Sequence, residues 1–231
     1  MPRPARPLRT IVLALTVTAF DAALLVAALG GVAPLLAHSR ALALLAIWAV
    51  SSVTLALLRP VRSQDVVATA PDARFAMLAL FVLPLLTAPV AALGERLGLW
   101  PLPGGALLRW TGVALAGLGL AVRIAAMAQL GPRFSPLLAM QREHALETRG
   151  LYARIRHPGY LGAWLASLGV ALAFGSAVAL PMVLVMGLLL WNRAGREESL
   201  LERHFGDEYR RYRLRSGRFL PRLLPARGSG A

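Results

Sequence analysis

Residues 148–192, TRGLYARIRHPGYLGAWLASLGVALAFGSAVALPMVLVMGLLLWN, combine one polar cluster with two long apolar runs. The polar cluster ends at His157, and the first apolar run begins at Pro158. The letters FGSA separate the two runs, and Gly175 with Ser176 is typical of a tight turn whose serine caps the next helix. The pattern predicts an antiparallel hairpin of two apolar helices with a polar cluster at its open end.

The geometry of such a hairpin predicts which residues meet at that open end. Both arms rise by the same amount per residue, so residues equidistant from the turn lie at similar depth. This count places His157 beside position 194 and Tyr160 beside position 191. Arg193 and Glu197 are one helical turn apart and share a helix face. The sequence therefore predicts that two polar patches, distant along the chain, converge at one membrane surface.

The composition is that of an integral membrane protein. Of the 231 residues, 57% are hydrophobic and 16% are charged, and the mean hydropathy is +0.61. Soluble domains carry about 25% charged residues, so a water-soluble fold is disfavoured. We expect an all-α, polytopic membrane bundle of about six transmembrane helices, followed by a C-terminal cytoplasmic amphipathic helix. The six apolar segments lie at about 10–34, 40–58, 74–94, 105–130, 158–174 and 177–192.

The distribution of arginine predicts the orientation of these segments. All 25 basic residues are arginine, and the formal net charge is +14. With the N-terminus inside, the outer loops hold only Arg40, Arg96 and Arg109, and the inner loops hold the other arginines except Arg123, which lies within a span. Positive residues favour the cytoplasmic side, so both termini are predicted to be cytoplasmic. The same placement favours lipid headgroups over nucleic acid as the partner of the arginines.

Several kinds of site are excluded or disfavoured. The chain has no cysteine, which excludes disulfides, thiolate metal sites and cysteine nucleophiles. The histidines are scattered and form no spacing that holds a metal, so we expect no metal site. The fourth apolar segment contains Gly112, Gly117 and Gly119, and the last two form a GxG pattern. Because no strand precedes this pattern, close helix packing is favoured over phosphate binding.

Asp21 is the one acidic residue predicted in the middle of a span. A carboxylate at this depth is costly and usually faces the bundle interior. A structural partnership with a cation or hydroxyl is favoured over a substrate or proton contact. Arg123 is the candidate partner because it also lies within a predicted span, although its side chain could instead reach the inner surface.

The polar residues at the mouth of the hairpin have two interpretations. Taken singly, His157 fits a helix N-terminus, the glutamates fit a solvated helix face, and the arginines fit lipid anchors. Taken together, charged groups of both signs placed half out of water suit a zwitterionic ligand. The convergence predicted by the hairpin favours a ligand site.

Three stretches carry a resemblance to a known family. EHALETRGLYARIRHPGYLG at 143–162, REESLLERHFGDEYRRYR at 196–213 and RFLP at 218–221 closely resemble the isoprenylcysteine carboxyl methyltransferase family. The resemblance covers roughly residues 123–222 and extends to a broader group that includes phospholipid N-methyltransferases. It implies N-terminal transmembrane helices at 1–122, a methyltransferase core at 123–222 and a flexible tail at 223–231.

The resemblance also implies a cofactor and a set of site residues. The cofactor would be S-adenosylmethionine, bound in a cytoplasmic pocket under the hairpin. Arg193 and Glu197 would be the catalytic residues, with Arg193 at the substrate end. The residues implied to bind the cofactor are His144, Leu146, Gly150, Tyr152, Arg156, His157, Tyr160, Glu197 and Glu198.

The resemblance leaves the methyl acceptor open. The arginine-only, alanine-rich composition suggests a bacterial inner membrane, whereas prenylated cysteines are a eukaryotic substrate. We expect a lipophilic or lipidated acceptor, a carboxylate or thiolate first, with a phospholipid or other amine N-methyltransferase as the alternative. A membrane reductase using a nicotinamide cofactor, a transporter and a noncatalytic membrane protein are the remaining hypotheses. The oligomeric state is not predicted.

Overall fold

The computed structural model describes residues 7–58, 78–131 and 146–222, and within these ranges all regular structure is helical. The only β-type pairings there are isolated bridges, one between Pro101 and Ser176 and one between Ile155 and Gly217. The α-helices are α1 Pro7–Leu29, α2 Val32–Ala37, α3 Ser39–Leu57, α4 Leu83–Arg96, α5 Gly105–Leu130, α6 Pro158–Phe174, α7 Leu180–Phe205 and α8 Asp207–Arg215. A π-helical turn, Leu78–Val82, precedes α4, and 3₁₀ turns occupy Gly150–Ala153 and Ala177–Ala179.

Four of the described helical stretches are long and apolar enough to cross a membrane: Ile11–Leu29, Ser39–Leu57, Gly105–Leu130 and Ala177–Phe205. Helix α6 is a shorter apolar helix. The all-helical membrane fold expected from the composition is therefore confirmed. All six predicted apolar segments contain helix, and within the described residues four of them meet the length and hydropathy expected of a span.

The predicted end of the first segment was wrong, whereas the helix of the last segment extends beyond its apolar part as expected. The first segment was expected to continue to about residue 34, but α1 ends at Leu29 because Gly30 and Gly31 have φ values of 90° and 142°. Such values favour glycine and are incompatible with a continuing helix. The last apolar segment ends near residue 192, and its helix, α7, continues to Phe205, as the prediction that Arg193 and Glu197 share a helix face required. Its polar end is rich in arginine, glutamate and leucine, which are good helix formers.

Helices α5 and α6 make the closest helix pair of the bundle. A Cβ atom built on Gly119 would lie 2.5 Å from the Ala166 backbone nitrogen, and one on Gly162 would lie 2.5 Å from the Gly119 carbonyl oxygen. The helix backbones thus touch directly, as small residues allow in membrane bundles. The packing role predicted for the glycines is confirmed at Gly119 and also at Gly112, which abuts the α6 backbone.

The turn that joins α6 to α7 follows the sequence prediction. Gly175 ends α6 with φ 63° and ψ 27°, the left-handed conformation common at helix C-termini. The Ser176 hydroxyl accepts a hydrogen bond from the Val178 backbone N–H and donates one to the Leu99 carbonyl. The hairpin that places the polar residues of the two arms at the same depth is therefore present.

At the end of the bundle that contains this turn, Glu95 of α4 binds three basic side chains. Arg40 and Arg109 each donate to its Oε1 at 2.8 Å, and His38 Nε2 lies 3.0 Å from its Oε2. Arg40 also donates to the Ala173 carbonyl at the end of α6. We call His38, Arg40, Glu95 and Arg109 the Glu95 cluster. It ties the ends of α3, α4, α5 and α6 together.

The predicted partnership of Asp21 with Arg123 was wrong. Both side chains line one cavity, but they form no ion pair within 4.0 Å. Arg123 instead donates to the Gly159 carbonyl at 3.2 Å. The first turn of α6 leaves that carbonyl within reach, so the guanidinium binds backbone rather than the carboxylate.

Candidate active site

The opposite end of the bundle begins at the N-terminus of α6. Pro158 occupies the first turn of α6, where its missing N–H costs no hydrogen bond. His157 precedes it as the N-cap residue, but its side chain makes no capping hydrogen bond. The buried imidazole points instead at Glu198 on α7, with Nε2 3.3 Å from Oε1. The plain N-cap interpretation of His157 is therefore wrong.

Glu198 is the buried centre of this end, with a side chain that is 5% exposed. Arg156 Nε donates to its Oε1 at 2.8 Å, and Arg218 donates to both oxygens at 3.1 and 2.7 Å. With His157, three basic side chains surround one carboxylate. A buried charge needs such pairing, and removing one partner leaves the others uncompensated. Both oxygens of Glu198 are therefore paired, and Arg218, whose side chain is 25% exposed, is the most accessible of its three partners.

Glu197, the neighbouring acid, is in a different environment. Its side chain is 34% exposed, and its Oε2 accepts a hydrogen bond from the Tyr160 hydroxyl at 2.8 Å. The same hydroxyl accepts from Arg193 Nε at 2.7 Å. Tyr160 thus bridges the two α7 residues that the sequence placed on one helix face. The convergence of Tyr160, Arg193 and Glu197 predicted from the hairpin count is confirmed.

Aromatic stacking fixes the orientation of the Tyr160 ring. The imidazole of His157 stacks on it with ring centroids 5.4 Å apart and an interplanar angle of 4°. The Arg193 guanidinium carbon lies 5.7 Å from the Tyr160 centroid. Because the ring contacts both the imidazole and the guanidinium, its hydroxyl is preorganised between the arginine and the carboxylate. We call Arg156, His157, Tyr160, Arg193, Glu197, Glu198 and Arg218 the Glu197–Glu198 cluster.

The chain after α8 returns to this cluster. Gly217 N–H donates to the Arg154 carbonyl at 2.9 Å, and the Gly217 carbonyl accepts from Arg156 N–H at 2.8 Å. This pairing brings Arg218 to Glu198, with its guanidinium carbon 4.6 Å from the Trp191 ring. Sequence reasoning assigned no role to Arg218. The RFLP motif marked the position, but only the pairing beside Gly217 shows where the side chain goes.

The residues predicted upstream of α6 lie at the edge of this region. Tyr152 is buried, its hydroxyl donates to the Ala126 carbonyl at 3.4 Å, and its carbonyl accepts from the Tyr212 hydroxyl at 2.7 Å. Burial raises the pKa of Tyr152. Gly150 has φ 51° and packs against the Gln129 amide. Leu146 is half-buried.

The structure therefore brings most, but not all, of the described site residues into one cluster. Arg156, His157, Tyr160, Arg193, Glu197 and Glu198 are brought together in one cluster, whereas Gly150 and Tyr152 hold the preceding loop against the end of α5. His144 lies outside the described residues. Within the described ranges, no group of three histidine, aspartate or glutamate side chains could hold a metal ion.

Comparison with known proteins gives this geometry a context. Residues 112–203 match the model of the isoprenylcysteine carboxyl methyltransferase family. This range is the part of the chain that resembles that family. It contains all residues of the Glu197–Glu198 cluster except Arg218, together with the closely packed glycines of α5 and α6.

Curated relatives of the family align over the same part of the chain. The protein-S-isoprenylcysteine O-methyltransferase of Schizosaccharomyces pombe is 38% identical over 114 residues, which are 47% of this chain and 47% of the relative. The human enzyme of the same name is 31% identical over 114 residues, 48% of this chain and 40% of the relative. The chain thus spans about half the length of the curated relatives it matches.

A solved structure extends the likeness to most of the fold. The eukaryotic intramembrane Ras methyltransferase isoprenylcysteine carboxyl methyltransferase has a TM-score of 0.56 and 22% sequence identity. The likeness covers 88% of this chain and 74% of that chain. The helical fold therefore resembles that of this solved structure, including much of the region outside residues 112–203.

Proposed function

We propose that the Glu197–Glu198 cluster is the active site of an S-adenosylmethionine-dependent methyltransferase that acts on a lipophilic carboxylate or thiolate. One observation carries the proposal: Glu197 is an accessible carboxylate placed within a buried basic cluster. Residues of the cluster lie within the range that matches a methyltransferase family. The names of the curated relatives, protein-S-isoprenylcysteine O-methyltransferases, support carboxyl methyl transfer as the activity.

The chemistry of the donor set fits S-adenosylmethionine. Its methionine end carries an ammonium, for which Glu197 offers a partly exposed acceptor, and a carboxylate, for which Arg218 offers a guanidinium 25% exposed. When bound, this cofactor supplies an electrophilic methyl group on a sulfonium, so no covalent protein nucleophile is required. The absence of cysteine from the chain is compatible with that chemistry.

Arg156 and His157 take a modified role in this proposal. The family resemblance implied that both bind the cofactor, and both contact Glu198 in the structure. We assign them to the cofactor site as residues that hold Glu198 and the Tyr160 ring in place. Contacts of the cofactor with His144, Leu146, Gly150 and Tyr152 remain predictions from the family resemblance.

Arg193 is proposed to orient the acceptor. It lies one turn before Glu197 on α7, which displaces it by about 6 Å along the helix axis toward the membrane. A lipophilic acceptor that enters from the bilayer would present its reacting head there. A buried cation attracts an anionic nucleophile and repels an amine headgroup. This charge favours a carboxylate or thiolate over the phospholipid amines of the alternative hypothesis.

We further propose six membrane crossings with both termini in the cytoplasm of a bacterial inner membrane, and α8 as a cytoplasmic surface helix. In support, Leu78–Arg96 and α6 add two apolar segments to the four candidate spans. The only arginines assigned outside, Arg40, Arg96 and Arg109, lie at the same end of the bundle.

Fusions to alkaline phosphatase, which is active only outside the cytoplasm, test this orientation. A fusion after Ser39 or Leu102 should be active, and a fusion after Gly150 should be inactive. The reverse pattern would refute this orientation.

The activity is tested by single-turnover methyl transfer with purified protein and radiolabelled S-adenosylmethionine. The acceptors are matched in chain length and end in a carboxylate, a thiol or an amine. The proposal expects methylated acid or thiol as the main product. Preferential methylation of the amine would support the phospholipid-type alternative, and no transfer to any acceptor would refute methyl transfer to these classes.

A further inference from the structure

One face of α7 receives the Arg218 side chain. Trp191, Gly195 and Glu198 are spaced by four and three residues, so they lie along one side of the helix. The Arg218 guanidinium carbon lies 4.6 Å from the Trp191 ring centroid, and its Nε and Nη2 donate to Glu198 at 3.1 and 2.7 Å. A Cβ atom built on Gly195 would lie 4.0 Å from both terminal nitrogens of this guanidinium. The guanidinium therefore lies beside Gly195, between an aromatic ring and a carboxylate.

Trp191 is exposed, yet it contacts the segment that brings Arg218 to Glu198. The residue is 53% exposed, and its ring centroid lies 5.7 Å from that of Phe219. The Phe219 ring in turn lies 6.0 Å from the imidazole of His157. Exposed tryptophans near a membrane surface are often simple interfacial anchors. Contact with two consecutive residues of the returning segment indicates that this tryptophan also holds that segment in place.

The charged groups around Glu198 include one cation in excess. Glu198 carries one negative charge and binds two guanidiniums, those of Arg156 and Arg218. The Arg156 side chain is 8% exposed, and its Nη1 donates to backbone carbonyls. The Arg218 side chain is 25% exposed, and within the described ranges its Nη1 donates to no residue. The donors left for an anionic group are therefore those of Arg218.

We propose that Trp191 is a positioning residue of the proposed cofactor site, and that its ring holds Arg218 ready to bind the carboxylate of the ligand. The inference rests on the proposed function, which assigns that carboxylate to Arg218. Two hydrogen bonds to Glu198 and one ring contact restrain the guanidinium, so its remaining donors are oriented before a ligand arrives. Trp191 acts through Arg218 and is assigned no contact with the ligand itself.

Calorimetric titration with two ligands tests this role. The first ligand is S-adenosylmethionine, and the second is its decarboxylated analogue, which keeps the ammonium and the sulfonium. Trp191→Leu should weaken binding of S-adenosylmethionine about three- to tenfold and change binding of the analogue by less than about twofold. Trp191→Phe, which keeps an aromatic ring, should recover part of the affinity. Equal weakening of both ligands would overturn the proposal, because a general structural defect does not distinguish them.

Control variants separate positioning from anchoring. Trp110→Leu removes a tryptophan of α5 that is 46% exposed, and this variant should bind both ligands as wild type does. Arg218→Gln should weaken binding of S-adenosylmethionine at least about tenfold, and Trp191→Leu should have no further effect in that background. An undiminished effect of Trp191→Leu in Arg218→Gln would refute action through the arginine. If wild type binds S-adenosylmethionine and Arg218→Gln binds it equally well, the inference fails while the proposed function stands.

Thermal melts of the ligand-free protein give a readout that is independent of the proposed function. Trp191→Leu and Arg218→Gln should each lower the melting temperature. The double variant should lose less than the sum of the two, because either single change already breaks the contact. Additive losses would refute the coupling between the two side chains. Coupled melts in a wild-type protein that binds neither ligand would instead refute the proposed function, and with it the role of Trp191 toward a carboxylate.

Discussion

The two ends of the bundle carry similar charge clusters that differ in one respect. At each end a single glutamate binds three basic side chains, two from one stretch of chain and one from another: Glu95 in one cluster, Glu198 in the other. Only the Glu197–Glu198 cluster adds a second, partly exposed acid, which a tyrosine connects to a buried arginine. A carboxylate surrounded by cations is therefore a structural device in this fold. The accessible acid beside it distinguishes the candidate active site.

The largest difference between the two clusters is expected in turnover, when one arginine of each cluster is replaced. Arg193→Ala is expected to reduce turnover on the order of a thousandfold, about 4 kcal/mol, because it removes the cation that orients the acceptor. Arg109→Ala, in the Glu95 cluster, should leave the turnover of the folded protein unchanged. Single-turnover methyl transfer measures both variants. Arg193→Lys should recover only part of the rate, since lysine lacks the planar fork. Full activity in Arg193→Ala would contradict the claim that this arginine gives the Glu197–Glu198 cluster a role in turnover.

Removing the central glutamate should destabilise the protein more in the Glu197–Glu198 cluster than in the Glu95 cluster. Glu198→Ala is expected to lower the free energy of unfolding by about 3 kcal/mol or more, because it leaves buried cations unpaired. Glu95→Ala should cost about 1–3 kcal/mol, since its carboxylate and partners are more exposed. Glu202→Ala, which loses ion pairs to the exposed Arg210 and Arg213 of α8, is the control and should cost under about 1 kcal/mol. Thermal melts in nanodiscs give the ranking, and equal melting temperatures for all three variants would contradict it.

The contact between α5 and α6 should matter to both ends, because it holds the two helices in register between the clusters. Gly119→Ala places a methyl group 2.5 Å from the Ala166 backbone nitrogen, and we expect it to lower the free energy of unfolding by about 2–3 kcal/mol. Gly117→Ala, on the same helix, would meet only Ile47 at 3.5 Å and is the matched control. A melting temperature of Gly119→Ala at or above that of Gly117→Ala would show that the close contact is not required.

The smallest effect is expected at the buried tyrosines of α8, which close the end that holds the Glu197–Glu198 cluster. Tyr212→Phe removes the hydrogen bond to the Tyr152 carbonyl and should cost about 1 kcal/mol. Burial raises the pKa of Tyr212 to about 12, whereas an unfolded tyrosine titrates near about 10. Folding thus favours the neutral phenol. Its contribution to the free energy of unfolding is complete below about pH 10 and is lost as the pH rises toward 12. Melts from pH 8 to 11.5 should show a smaller alkaline loss in Tyr212→Phe than in wild type; equal losses would refute this.

The sequence predicted the parts of the site that depend on local periodicity. Apolar runs and glycine breaks located the helices, and a count from the turn at Gly175 brought Tyr160 to Arg193 and Glu197. This count works because both arms are regular helices joined by a short turn. The close packing of α5 against α6 followed from small residues in an apolar helix for the same reason.

Contacts made by irregular or distant segments could not be predicted in this way. Arg218 reaches Glu198 only because the chain after α8 pairs beside Arg154, and no periodicity encodes that return. The Glu95 cluster gathers side chains from three separate helices. Asp21 and Arg123 line the same cavity, but the carbonyl of Gly159 accepts from the guanidinium that was expected to pair with the carboxylate. Depth along a helix can be counted from sequence, whereas the choice among neighbouring acceptors depends on tertiary packing.

Calorimetric titration of S-adenosylmethionine tests the central claim, that Glu197 makes one of the two clusters a cofactor site. Detergent-purified wild type should bind the cofactor, and Glu197→Gln should bind it about ten- to a hundredfold more weakly, the loss of one charge-assisted contact. Glu202→Gln, five residues further along α7, and Glu95→Gln, in the other cluster, should both bind as wild type. Wild-type affinity in folded Glu197→Gln, or an equal loss in Glu95→Gln, would contradict the assignment.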